Sequence, residues 1–166
     1  MAAFVNISRT TLLGVAWTGT APGPTVVTPA GTITSTSDIS PFCVAGGDPA
    51  WNAAMVDVTH FGSLGYTTVI PGLTTGDELV FDANSDWAAL QLGVIVKTTL
   101  GGIARPGAVP IYVDIKPTSA ARSATNPSFV AACYISKWGP AGGAVGARAA
   151  AQLTLTITGT FADLVA

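Results

Sequence analysis

The chain has 166 residues, one domain's worth, long enough to bury about two-thirds of the surface its unfolded form exposes. Charged residues make up 10% of it and apolar residues 49%, where roughly 25% charge is usual, so little charge is available to solvate a monomer and self-association is the economical reading. The net charge is −2, and Arg9, Lys97, Arg105, Lys116, Arg122, Lys137 and Arg148 stand singly, which argues against a basic stripe for tight nucleic-acid binding.

From the N-terminus, "MAAFVNISRTTLLGVAW" lacks the basic start of an export signal, and Asn6, Ser8 and Arg9 interrupt its apolar run. "TLLGVAW" is a strand or an extended arm, and "TGTAPGPTVVTPAGT" is rich enough in Pro and Gly to be a flexible connection. Residues 1–31 are therefore taken as an arm or linker with neighbouring subunits as its candidate contacts, and 32–166 as the folded domain. "TITSTSDISPFCVAGG" enters that domain, bends at Pro41 and ends in paired glycines. "AAMVDVTHFG" and "GYTTVIPG" frame a Gly-bounded connection, and "DELVFDA" alternates, with Leu79 and Phe81 on one face and Val80 and Asp82 on the other.

One helix is predicted, over "NSDWAALQLGVIVKTTLGG". Asn84 or Ser85 caps it, Asp86 suits its first turn, and Gly101-Gly102 stops it. Trp87, Leu90 and Val94 form one stripe, while Leu92 and Ile95 lie off it, so the helix is apolar most of the way round and calls for a second partner surface. Gly93 and the β-branched "VIV" weaken its second half, and a strand over "LGVIVKTT" competes with it. No apolar window is long enough to span a bilayer, since "WAALQLGVIV" stops at Lys97.

Two later runs alternate most cleanly. In "VPIYVDIKPT", Ile111, Val113 and Ile115 point one way, with Tyr112, Asp114 and Lys116 opposite. In "QLTLTITGTF", Leu153, Leu155, Ile157 and Phe161 share one face, and Thr154, Thr156, Thr158 and Thr160 line the other. Period two over this length marks strands with one face on a core and one face wet.

Chemistry is hard to find. His60 is the single histidine, and the only serine near it, in "FGSLG", fails the Gly-x-Ser-x-Gly elbow that would present a nucleophile. One His with two Cys, Cys43 and Cys133, makes no zinc spacing. Both cysteines sit in strand-like runs, where a reduced Cys acts as a small hydrophobe. The acids near 77–86 are explained by turns and a helix cap, and none of the glycine pairs is followed by the Lys-Ser/Thr of a phosphate loop. The four tryptophans, Trp17, Trp51, Trp87 and Trp138, suit a core or a subunit contact better than a sugar platform. The residues call for no enzyme, metal or cofactor.

"DIKPTSAARSATNPSFVAACYISKWGPAGGAVGARAAAQLTLTITGTF" resembles the C-terminal half of tail tube (major tail) proteins of bacteriophages with long, non-contractile tails, those of actinobacterial phages in particular. "DISPF", "DVTHFG", "VIPGL" and "SDWAA" resemble that family's entry strand, turn, bend and helix start, in order, so the match covers residues 38 to 161. "KPTSAARSATNP" is its most specific part.

The resemblance implies a β-sandwich of two antiparallel sheets with a flanking helix. Its inner sheet contributes to a ring-shaped β-barrel in the oligomer. Rings, usually of six, stack into a hollow tube in the virion, built in the host cytoplasm, through which genomic DNA passes without tight binding. Tape measure, tail terminator and tail tip proteins are the implied further partners. Candidate lumen-facing residues are Asp114, Thr154, Thr156 and Thr158. Candidate subunit contacts are Trp51, Phe61, Trp87, Leu92, Ile95, Asn126 and Pro127, with Asn126-Pro127 stopping ladder continuation after the small-residue excursion at 119–125. A carbohydrate- or receptor-binding β module of a tail tip, and a capsid decoration protein, are the alternatives.

Overall fold

The structure, a computed structural model, describes residues 9–23, 29–34, 37–41, 43–47, 50–59, 67, 69–76, 78–84, 110–142, 150–158 and 162–164. In chain order its strands are β1 (Thr10–Gly14), β2 (Ala16–Thr20), β3 (Ala30–Thr34), β4 (Ser37–Asp38), β5 (Cys43–Ala45), β6 (Trp51–Asp57), β7 (Val69–Gly76), β8 (Leu79–Asn84), β9 (Pro110–Lys116), β10 (Ser128–Gly142), β11 (Ala150–Ile157) and β12 (Ala162–Leu164). The mainly-β expectation is met. The helix expected over 84–102 lies, apart from Asn84 at the end of β8, outside the described residues.

Where two stacked sheets were expected, one antiparallel sheet runs in the order β4-β1-β9-β10-β11-β8-β5, with two separate hairpins, β2-β3 and β6-β7. The sheet has to curl. Its edge strands β4 and β5 are consecutive in the chain, and the five peptide links from Asp38 to Cys43 reach at most about 18 Å. Laid flat, six strand spacings would separate those edges by about 29 Å. Curling turns one face inward, where Leu13, Ile39, Leu79, Phe81, Ile111, Val113, Ile135, Leu153 and Leu155 form one core, each at most 1% exposed. The alternating runs predicted for β9 and β11 put the expected residues into it.

Ile39 sits on the crossing between the two edges and fills the core from there, its amide bonded to the Thr11 carbonyl at 3.0 Å. Arg9, just before β1, reaches over the same seam and donates to the carbonyls of Gly46 and Gly47 beyond β5. The paired glycines matter here because the chain lies flat on β8. A Cβ at Gly47 would stand 2.7 Å from the Leu79 backbone.

β10 is long because it carries two partners on one side. β11 runs along it to Ile157 opposite Cys133, and β12 resumes at Ala162 opposite Val130. Between them Thr158 turns its amide and hydroxyl onto the Ala132 carbonyl, at 2.8 and 2.9 Å. A bulge at Ser136 resets the phase of β10. Ile135 and Trp138, three apart, thereby both pack on the core, and Ser136 Oγ donates to the Thr154 carbonyl.

Of the residues 1–31 expected as an arm, the described ones include three strands. β1 lies inside the sheet between β4 and β9, pairing Thr10 with Lys116 through Gly14 with Tyr112, and the 31/32 boundary falls within the β2-β3 hairpin. That hairpin folds back over β1 and β9. Gly31 has φ +114°, and a Cβ there would collide with the Thr18 carbonyl. Without one, the Trp17 indole can lie beside it, donate to the Ala30 carbonyl at 3.0 Å and meet the Tyr112 ring at 5.6 Å. Arg122 donates to the Gly31 carbonyl and ties the hairpin down.

The seam makes Arg9 a measurable structural residue. Arg9→Ala is expected to lower unfolding free energy by about 1.5–3 kcal/mol, the range for hydrogen bonds from a charged donor. Urea denaturation of the two chains checks this, and a change below about 0.5 kcal/mol would remove Arg9 from the closure.

Candidate functional site

No described group of three His, Cys, Asp or Glu side chains converges as metal ligands would. A shallow groove of about 240 Å³ is lined by Asp82, Lys137, Gly139, Gly142, Ala150, Ala151 and Gln152. Its polar groups satisfy one another. Lys137 Nζ donates to Gln152 Oε1 and Gln152 Nε2 donates to Asp82 Oδ1, both at 2.9 Å, spanning β10, β11 and β8. The acid and the base, bridged by the amide, brace the three strands.

The thiols are equally inert. Burial pushes Cys133 up to about 12. Burial also pushes Cys43 up to about 11, against the lowering effect of nearby Arg9. Both are free, and both touch the core, as the sequence reading of reduced apolar cysteines expected. A thiol at about 11 is roughly one part in a thousand ionised at pH 8, far too little for a nucleophile.

What remains are surfaces. On the outer face of β8, β11 and β10, Val80 and Tyr134 are each 37% exposed, with Thr156 beside them and Thr154 buried in the row between. Glu78 accepts from the Thr156 hydroxyl at 3.2 Å at the margin. The second surface is the β6-β7 ribbon. Residues 52–59 are exposed without interruption, on both faces, and Met55, Val56, Val69 and Ile70 are 47–65% exposed. Between Asp48 and Asp77 the sequence carries one formal charge, Asp57. Hydrogen bonds from the Thr59 hydroxyl and amide hold that carboxyl below its ordinary range.

The residues singled out from sequence fall in different places. Of the lumen candidates, Thr156 is exposed, Thr158 is half-buried on the Ala132 carbonyl, and Thr154 and Asp114 are buried in the single chain. Asp114 accepts from Ser128 Oγ at 2.7 Å, on the outward face of β9 that the β2-β3 hairpin crosses. Of the contact candidates, Trp51 opens β6 opposite Gly76, while Phe61, Trp87, Leu92 and Ile95, like His60, lie outside the described residues.

Asn126 is 5% exposed and staples its own loop. Its Oδ1 accepts from the Thr118 amide, and its Nδ2 donates to the carbonyls of Ala120 and Ala121. Pro127 is half-buried beside it, and Ala124 and Thr125 form the exposed tip. Sequence reasoning missed Val80, Tyr134 and the ribbon's Met55, Val69 and Ile70. The scarcity of charge from 49 to 76 was the available signal.

Two solved structures share this arrangement. A chain of the anti-feeding prophage (AFP) baseplate, determined by cryo-EM with six-fold symmetrisation, matches at TM-score 0.57 and 9% identity, covering 99% of this chain and 97% of that one. The SPP1 tail tube protein matches at TM-score 0.53 and 10% identity, covering 99% and 81%. The fold is phage tail-tube-like. No family model and no curated protein sequence matches. At such low identity the likeness is one of fold, and it spans the chain from end to end, including the strands that sequence alone left as an arm.

Two measurements follow from these side-chain environments. Asn126→Ala removes a side chain that joins three backbone groups, and a loss of about 1–3 kcal/mol is expected, with faster amide exchange at Thr118; unchanged exchange there would dissolve the staple. Burial makes the folded state retain thiol protons that the unfolded chain releases above its ordinary value of 9.0, so this stabilisation is present below pH 9 and declines as pH rises through about 11. Alkylation of the folded chain at pH 8 should accordingly run more than about a hundredfold slower than that of a free thiol. Fast labelling at pH 8 would mean that the thiols are open.

Proposed function

We propose that the chain is a structural subunit of a phage tail, closing with copies of itself into rings that stack as a hollow tube. The observation that carries this reading is the end-to-end likeness in fold to a tail tube protein and a baseplate protein. The ordered motifs from "DISPF" to "TGTF", which resemble those of actinobacterial phage tail tubes, support it independently of the fold. The exposed ribbon supports it physically: an isolated two-stranded hairpin is marginal in water, and one with apolar side chains on both faces needs a partner.

A conduit for DNA must not hold it. The four described cations are all engaged by their own chain. Arg9 donates to Gly46 and Gly47, Lys116 to Ala120, Arg122 to Gly31, and Lys137 to Gln152. The seven cations of the sequence stand singly and form no basic stripe, which suits a wall past which a polyanion slides. In this reading the protein has no catalytic role, Thr156 is the most accessible of the candidate lumen residues, and six copies to a ring, with tape measure, terminator and tip proteins as further partners, follow the family resemblance.

Negative-stain microscopy of the purified full chain tests the reading. Rings or tubes of uniform bore are the expected outcome. Dispersed monomers at several milligrams per millilitre would overturn it and favour a tail-tip binding module.

A further inference from the structure

The stretch "KPTSAARSATNP" carries the most specific part of the family resemblance, yet forming a tube gives it no task. It starts at Lys116, the last residue of β9, and ends at Asn126-Pro127, just before β10. In the fold its two ends meet. Lys116 Nζ donates to the Ala120 carbonyl at 3.0 Å, and Asn126 Nδ2 donates to the same oxygen at 2.9 Å. One shared acceptor therefore holds the amine and the carboxamide nitrogen within about 6 Å of each other. We propose that Lys116 and Asn126 join in an amide bond, formed by the chain on itself with loss of ammonia, which closes the loop 117–125 covalently at its neck. The step needs no second copy, so it stands or falls apart from the tube reading.

The carboxamide is held as acyl transfer requires. Asn126 is 5% exposed, and its Oδ1 accepts from the Thr118 amide at 3.0 Å. That donor sits where negative charge builds as the carbonyl carbon becomes tetrahedral. Nδ2, the leaving nitrogen, is fixed by the Ala120 and Ala121 carbonyls, two acceptors that favour the positive charge it gains on protonation. Lys116 is half-buried and brings a nucleophile on a flexible stem. From the shared carbonyl its Nζ has only a few ångströms to move to reach the attack distance of about 3–3.5 Å. Two residues earlier on the same face of β9 lies Asp114, a buried carboxylate bonded to Ser128 Oγ at 2.7 Å. It is the general base of the proposed step.

The step balances without a co-reactant. Asp114 takes one proton from the Lys116 ammonium, and the neutral amine attacks Asn126 Cγ. The Nζ–Cγ bond forms, a second Nζ proton passes to Nδ2, and the Cγ–Nδ2 bond breaks. The departing ammonia recovers the proton from Asp114 and leaves as ammonium; nothing is oxidised or reduced. Pro127 makes the outcome specific. Having no N–H, it cannot attack the Asn126 side chain to give a succinimide, the usual way an asparagine loses ammonia. The closed loop also contains Arg122, which holds the β2-β3 hairpin through the Gly31 carbonyl, so one bond would fix both elements.

Peptide mapping of the purified full chain tests the proposal. Trypsin spares Arg105 and Lys116, because proline follows each, and cuts after Lys97, Arg122 and Lys137. Lys116 and Asn126 therefore fall in separate peptides, 98–122 and 123–137. After a day at pH 9, the parent is expected to yield these two as one branched species, lighter than their sum by one ammonia molecule, with fragmentation placing the junction at Lys116 and Asn126. Lys116→Arg keeps a donor for the Ala120 carbonyl but has no amine to acylate, and it should yield two separate peptides. Asn126→Ala should do the same, and Lys116→Arg carries the test alone if the melting curve of Asn126→Ala shows that it has not folded. Two separate peptides from the parent would overturn the proposal. A branched species from Lys116→Arg would overturn it as well, since the nucleophile would then be another group.

Discussion

The fold depends on closing a single sheet on itself with almost no chain to do it. Between Asp38 and Cys43 the backbone must leave one edge and arrive at the other, and this short reach forces the strands between into a curl. Curling solves the burial problem as well. Among the described residues the core is built from strand side chains, Leu13 on β1 and Phe81 on β8 among them, together with Ile39 at the crossing. Ile39 fills the crossing and Arg9 fastens it, the first by burial and the second by donating to two glycine carbonyls. Closure also turns the two edge strands toward one another, with the Arg9 side chain bonded across the gap to the Gly46 and Gly47 carbonyls.

How much of this can be read from the sequence depends on how each strand is covered. β9 and β11 stand out because their inner faces are uniformly apolar and their outer faces uniformly polar, so period two survives in the letters. β1 does not, because Thr10, Thr11, Leu13 and Gly14 are all buried, with the sheet core beneath and the β2-β3 hairpin above. A strand covered on both faces loses its alternation and looks like an arm. β10 hides its phase differently, since the bulge at Ser136 puts Ile135 and Trp138 on one side at a spacing that no regular strand allows.

The same cause limits the reading of the surface. Alternation assigns Asp114 and Thr154 to the outward face, and that is where the register puts them, yet both are covered, Asp114 bonded to Ser128 on a strand crossed by the β2-β3 hairpin. Facing outward and meeting water are separate properties, and only the first follows from spacing. The exposed ribbon is the opposite case. Val56, Val69 and Ile70 look like core residues in any window, and only their 47–52% exposure in the folded chain sets them apart. The hydrogen bonds of Asn126 are invisible in the sequence for a related reason, because a side chain that knits its own loop looks the same on paper as one offered to a neighbour.

Sparse charge, read at first as a sign of association, becomes more specific once the bonding is known. A surface cation usually keeps a protein soluble by remaining hydrated, but the described cations here are drawn onto carbonyls and an amide of their own chain. They stiffen the seam, the β9-β10 loop and the β2-β3 hairpin, and their heads are less available to solvate the exterior. With a net charge of −2, the repulsion that would keep copies apart is weak, while apolar side chains remain exposed on the ribbon and on the β8-β11-β10 face. Scattered exposed apolar residues would lead from there to precipitation. Confined to two surfaces of unlike shape, they give association a direction.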